Sequence, residues 1–195
     1  AAITADEVTP ALTTVDGTYT GSELTHETAK VTDPALTGTI TYEYSGDRKN
    51  VGTFTVTAIY EDETVLVCAV DSGLDRIRPE TLEAYLTAAR RAKATGKALI
   101  LALHVPVHAE TLVEDTVRVW RQELTIGEGA FGCDDPATMA FYHAVAVDSD
   151  LSPDAVIAGH VHFDHEDVFP NGTPQYITDI ACNGHCRVLT LTPAE

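Results

Sequence analysis

Residues 79–106 read PETLEAYLTAARRAKATGKALILALHVP, and this stretch decides the fold. Leu82, Tyr85, Leu86 and Ala89 fall at i, i+3, i+4 and i+7, the stripe of an amphipathic helix. Pro79 suits its first turn, and Gly96 suits a left-handed C-cap. The pattern therefore predicts a helix from Pro79 to about Lys93 with that stripe against a sheet. Lys97 to Leu103 then reads as a strand buried on both faces, and Pro106 turns the chain away. A helix feeding such a strand is the crossover unit of an α/β protein.

Upstream, Gly38 to Tyr44 and Val51 to Tyr60 are predicted strands. In the second, threonines alternate with Phe54, Val56 and Ala58. Glu61-Asp62-Glu63 makes a turn before a central strand, Thr64 to Val70. Downstream, a shorter helix is expected over Thr111 to Gln122, and a glycine-rich loop over Ile126 to Asp134. Asp135-Pro136 opens a further helix to about Val147, with Met139, Tyr142, His143 and Ala146 on one side. Strands follow at Ala155 to Ala158, Gln175 to Ala181 and Arg187 to Leu191. The order β-β-β-α-β-α-α-β-β-β predicts an α/β fold: a mixed β-sheet or sandwich packed with helices. Residues 1–37 hold few large apolar side chains and are expected to form an extended, poorly defined segment. The domain proper is expected over 38–195.

Acidic residues outnumber basic ones 30 to 12, a formal charge of −18, which opposes binding to a nucleic-acid backbone or to anionic lipid. The longest apolar run, Ala98 to Leu103, is far short of a membrane span. The first seven residues lack the basic and apolar regions of a signal peptide. The four cysteines, Cys68, Cys133, Cys182 and Cys186, are expected as reduced thiols in a cytoplasmic setting, with Cys68 buried. Trp120, the only tryptophan, reads as a core or interface anchor.

Two places carry chemistry. Leu101-Ala102-Leu103-His104-Val105-Pro106 delivers a histidine at the carboxyl end of a buried strand, where α/β sheets gather ligands. Ala158-Gly159-His160-Val161-His162 ends a second strand in two histidines, with Gly159 expected to let the backbone come close to whatever they hold. Neutral imidazole is a good ligand for Zn, Mn and Fe. His104, His160 and His162 are therefore candidate metal ligands, beside the alternative that each is a surface or core histidine satisfied by a hydrogen bond. His108, Asp164 and His165, with Glu166 and Asp167, lie close in sequence; they could line the site or replace missing ligands, but a solvated rim is the favoured reading. Cys182-Asn183-Gly184-His185-Cys186 has the residue types of half a zinc site, but its spacing favours a structural turn. Ser72 is not set in a Gly-x-Ser-x-Gly elbow.

From about Thr39 to Leu191 the chain resembles the calcineurin-like metallophosphoesterases. Cys68-Ala69-Val70-Asp71-Ser72-Gly73 is similar to the family strand ending in Asp-Ser. His104-Val105-Pro106, Gly159-His160-Val161-His162 and the segment Gly172 to Thr178 follow in family order. The resemblance implies part of an αββα fold. It implies that His104 and His160 bind one divalent metal and His162 a second, commonly Mn, Fe or Zn. In the family the pair of metals bridges a hydroxide that attacks phosphorus in line. The implied partners are a phosphorylated small molecule or a phosphodiester.

The family also uses Asp-x-His, Gly-Asp-x-x-Asp and Gly-Asn-His-Asp/Glu, and none of these occurs here. Gly46-Asp47-Arg48-Lys49-Asn50 carries Asn at the second acidic place, and Asn183-Gly184-His185 is the wrong arrangement. Three imidazoles without a bridging carboxylate hold at most one cation. The chain is thus expected to be an inactive portion completed by a missing N-terminal half or a second subunit. The alternatives are a non-catalytic module and a mononuclear metal-binding one.

Overall fold

A computed structural model describes residues 22–23, 37–46, 48–50, 55–73, 75–127 and 135–192. The expected extended segment over 1–37 lies almost wholly outside the described residues, as do Val51 to Phe54, Cys133 and most of the glycine-rich loop.

The strands are β1 (Thr39–Ser45), β2 (Thr55–Glu61), β3 (Val65–Ala69), β4 (Ala98–Ala102), β5 (Ala155–Ala158), β6 (His165–Val168) and β7 (Pro174–Ile177). They form one seven-stranded sheet in the order β1-β2-β3-β4-β5-β7-β6. Strands β3, β4, β5 and β7 run parallel, while β1, β2 and β6 are antiparallel to their neighbours. The fold is α/β with a mixed sheet, and among the described residues it is one sheet rather than the two of a sandwich.

Helix α1 (Pro79–Thr95) starts at Pro79 and ends on Gly96 at φ 66°. Gly96 N–H bonds Lys93 O and Lys97 N–H bonds Ala92 O, the paired bonds of a Schellman ending. Its buried residues are Thr81, Tyr85, Ala88, Ala89 and Ala92. Leu82 and Leu86 are only partly buried, so the face is rotated from the expected stripe. Small alanines let α1 lie close to the sheet, and the Tyr85 ring fills the space, edge-on to Phe141 at 5.2 Å.

Helix α2 (Glu110–Trp120) and helix α3 (Pro136–Tyr142) connect β4 to β5. Asp135 caps α3 by accepting from Thr138 N–H at 3.1 Å, and the last turn widens to a π-turn over His143–Val147. Phe141, Tyr142, Ala144, Val145 and Ala146 are buried there, whereas His143 is exposed, contrary to the expected face. Asn171 Nδ2 donates to Val145 O and Asp148 O, both at 2.9 Å, which satisfies carbonyls the helix end leaves free.

Two strand assignments change. Residues 187–191 are irregular, held by Arg187, which pairs with Glu166 and donates to Ile177 O at 3.3 Å. The seventh strand is β6 instead. There Asp167 is buried while Glu166 and Val168 are exposed, a period of two disguised by a charged residue on the inner face. Cys68 is fully buried in β3, and burial pushes its thiol up to about 12.

Candidate functional site

The carboxyl ends of β3, β4 and β5 lie side by side, and each continues its ladder one residue further. Val70 N–H bonds Ala102 O at 2.9 Å, and Leu103 N–H bonds Ile157 O at 3.1 Å. Beyond that point side chains take over. Ser72, buried after β3, accepts from His104 N–H at 3.1 Å and Val105 N–H at 2.9 Å. From the other flank Gly159 N–H donates to His104 O at 3.2 Å. The backbone of His104 is thus fixed on both sides, and its exposed imidazole stands at the sheet edge.

There it meets His160. Nε2 of His104 is 3.0 Å from Nδ1 of His160, with ring centroids 4.9 Å apart and planes at 79°. Burial lowers the His160 pKa below the usual 6.5, and the neighbouring His104 adds to the effect. Asp75 opposes it weakly and His162 reinforces it. His160 is therefore a neutral donor at pH 7. One of the two facing nitrogens must accept where the other donates, so the pair holds at most one proton between them.

The turn that carries His160 is strained. His160 has φ 67° and His162 φ 58°, both in the left-handed region that a residue with a Cβ rarely occupies. Val161 N–H bonds Gly159 O at 2.8 Å, which puts His160 at the centre of a tight γ-turn. Such conformations cost about 1–3 kcal/mol each and persist only where the surroundings enforce them. A Cβ on Gly159 would meet no protein atom within 4 Å. The left-handed residues are the histidines themselves.

His162 has a neighbour of its own. Its exposed ring stands edge-on to Trp120 at 5.9 Å and 81°. Trp120 is neither a core residue nor fully covered: it is 44% exposed at the end of α2. Among the described residues no group of three or more His, Cys, Asp or Glu side chains is placed to hold a metal ion. What fits a cation is the pair. A separation of 3.0 Å suits neighbouring donors on one ion with bonds of about 2 Å. Asp75 is the carboxylate whose charge reaches His160. It follows the Asp71-Ser72-Gly73 segment at the end of β3, and its place at a strand end was the only signal in the sequence.

The other expected rim residues are engaged elsewhere. His165 turns inward from β6 toward α2. Its Nδ1 is 3.0 Å from Asp115 Oδ2, and its Nε2 lies 2.9 Å from Asp167 Oδ2, an ion-pair distance without hydrogen-bond alignment. Asp167 also accepts from Thr111 Oγ1. His108 pairs with Glu123 at 3.3 Å beside a cavity of about 520 Å³ that neither His104 nor His160 lines. Asp164 is exposed and accepts from Asp179 N–H at 3.1 Å. The solvated rim thus reduces to Asp164 and Glu166. Cys182 and Cys186 are exposed free thiols around a short 3-10 turn that ends on Gly184 at φ 82°, the structural turn that was expected.

No protein-family model matches this chain, and no curated protein matches it.

Proposed function

We propose that this chain carries part of a metal-dependent phosphoesterase site, with His104 and His160 holding one divalent cation and His162 facing a second. The observation that carries this reading is the 3.0 Å contact between His104 and His160 at the carboxyl ends of neighbouring parallel strands. Two features support it. Burial disfavours the positively charged form of the His160 imidazole, which favours its use as a ligand. His160 and His162 also occupy strained backbone, which clusters at functional sites. When bound, a Mn, Fe or Zn ion would supply charge neutralisation and activation of water toward a phosphate mono- or diester. This chain's own part is to bind and orient: Ser72 and Gly159 fix His104, and the turn after β5 aims His160.

The strongly acidic surface repels phosphate esters at long range, so a bound cation is needed to reverse the local field. Two cations repel each other unless anionic donors lie between them, and neutral imidazole adds no charge. The bridging carboxylate is assigned to a segment outside this sequence or to a second subunit. The free thiols at Cys68, Cys182 and Cys186 support a reducing, cytoplasmic setting. Among the described residues no helix is long and apolar enough to cross a membrane.

A second reading is favoured by one observation. His162 stands edge-on to Trp120, which suits a mononuclear metal-binding module without turnover. Release of nitrophenol from mono- and bis-nitrophenyl phosphate separates the two. With Mn added, the chain alone should show little or no activity. A chain supplying the family's acidic motifs, joined or in trans, should restore turnover that His160→Ala and His162→Ala each abolish. Vigorous turnover by the chain alone would contradict the count of ligands.

A further inference from the structure

Trp120 stands where the strained turn needs a hold. Val161 sits between the two left-handed histidines, and its carbonyl points out of the tight turn toward α2. The indole Nε1 of Trp120 donates to that carbonyl at 2.7 Å, a contact across 41 residues of sequence. The ring then lies edge-on to His162 at 5.9 Å. Below the turn, the Val161 side chain is fully buried. Trp120 is itself placed by α2, whose Leu112 and Thr116 are fully buried and whose last turn closes on Arg121 at φ 62°. The turn is thus held from below by an apolar anchor and from outside by one directional hydrogen bond.

We propose that Trp120 is a positioning residue for His160 and His162, its indole N–H holding the left-handed turn that aims His160 at His104. Without that donor the Val161 carbonyl can rotate into solvent, and both histidines can relax to ordinary backbone angles. The ring of His160 then leaves His104. The hydrogen bond rather than the bulk of the indole carries the effect. An exposed phenyl ring could shade the turn, but only an N–H can orient the carbonyl. As a statement about metal affinity the proposal rests on the metal reading of the site, but its geometric part does not.

The test uses Trp120→Phe and, should that variant not fold, benzothienylalanine at position 120, which keeps the ring shape and lacks the N–H. Without metal, the readout is the nuclear Overhauser contact between the His104 and His160 rings. It should be present in the parent chain and lost in the variant. With metal, the probe is Co(II), followed by its visible spectrum. Removing a group that orients metal ligands typically weakens binding about 10–100-fold, and the same loss is expected here. A ring contact that survives in the variant, or that is absent from the parent chain, overturns the proposal whatever the metal does. A lost contact with Co(II) affinity unchanged overturns it too. If the parent chain binds no Co(II), the metal reading fails while the ring contact still decides the role of Trp120.

Discussion

His160 and His165 are five residues apart in the chain, yet their surroundings are opposite in kind. His165 lies between two carboxylates, Asp115 and Asp167, with only 11% of its side chain exposed. His160 faces another imidazole, on strained backbone, partly open to solvent. The first arrangement is what a histidine does for stability: its ring, packed between elements, ties β6 to α2. The second makes no such tie between elements. The His104 imidazole disfavours charge on His160, and the backbone conformation costs free energy that the rest of the fold must offset. The comparison teaches that a histidine whose neighbours oppose its charge is the one to read as a ligand.

The largest difference should appear on truncation. His165→Ala removes a nearly buried ring and leaves Asp115 Oδ2 without that partner, and losing one partner of a buried polar contact costs about 1–3 kcal/mol. Urea titration should register a loss of that size, and a loss under about 1 kcal/mol would mean that His165 is not part of the framework. Leu86→Ala supplies a scale between the two regions. Because Leu86 is only partly buried, its loss should be about 1–2 kcal/mol, below that of a fully buried leucine. His160→Gly should leave stability within about 1 kcal/mol of the parent or raise it, because glycine accepts positive φ without strain. A large loss there would erase the contrast.

The smallest effect is in pH dependence, and the two regions differ in window. The His160 pKa is lowered on folding, so the unfolded chain binds its proton more readily. Its contribution is therefore intact above pH 6.5 and is lost as pH falls from there through the lower folded value. The Asp115 carboxyl is lowered by its hydrogen bond to Arg118, with His165 adding, so its contribution persists to lower pH and is lost only below 3.8. His160→Gly should flatten the stability profile just below pH 6.5 and leave the acid limb unchanged. A flattened acid limb instead would reverse the assignment.

The helix–strand unit at 79–103 was legible because its period, its proline and its glycine all agreed. β6 was not, because His165 and Asp167 occupy inner positions and only α2, distant in sequence, pairs them. The expected strand at 187–191 failed for a related reason. Its apolar residues Val188 and Leu191 are exposed, and the sheet edge beside β7 belongs to β6. In the site, His104 and His160 were readable as strand-end histidines. The parts played by Ser72 and Trp120 were not, since each acts through a backbone group that no side-chain pattern announces.

The central claim is that His104 and His160 together hold a divalent cation. Calorimetric titration of the whole chain with Mn and with Zn tests it directly, alongside His104→Ala, His160→Ala and His185→Ala. His185 is an exposed histidine whose nearest carboxylate, on Asp179, is 3.6 Å away. One cation should bind the parent chain and the His185→Ala variant alike, and binding should disappear in both of the other variants. Binding that survives His160→Ala, or a parent chain that takes up neither ion, would contradict the account.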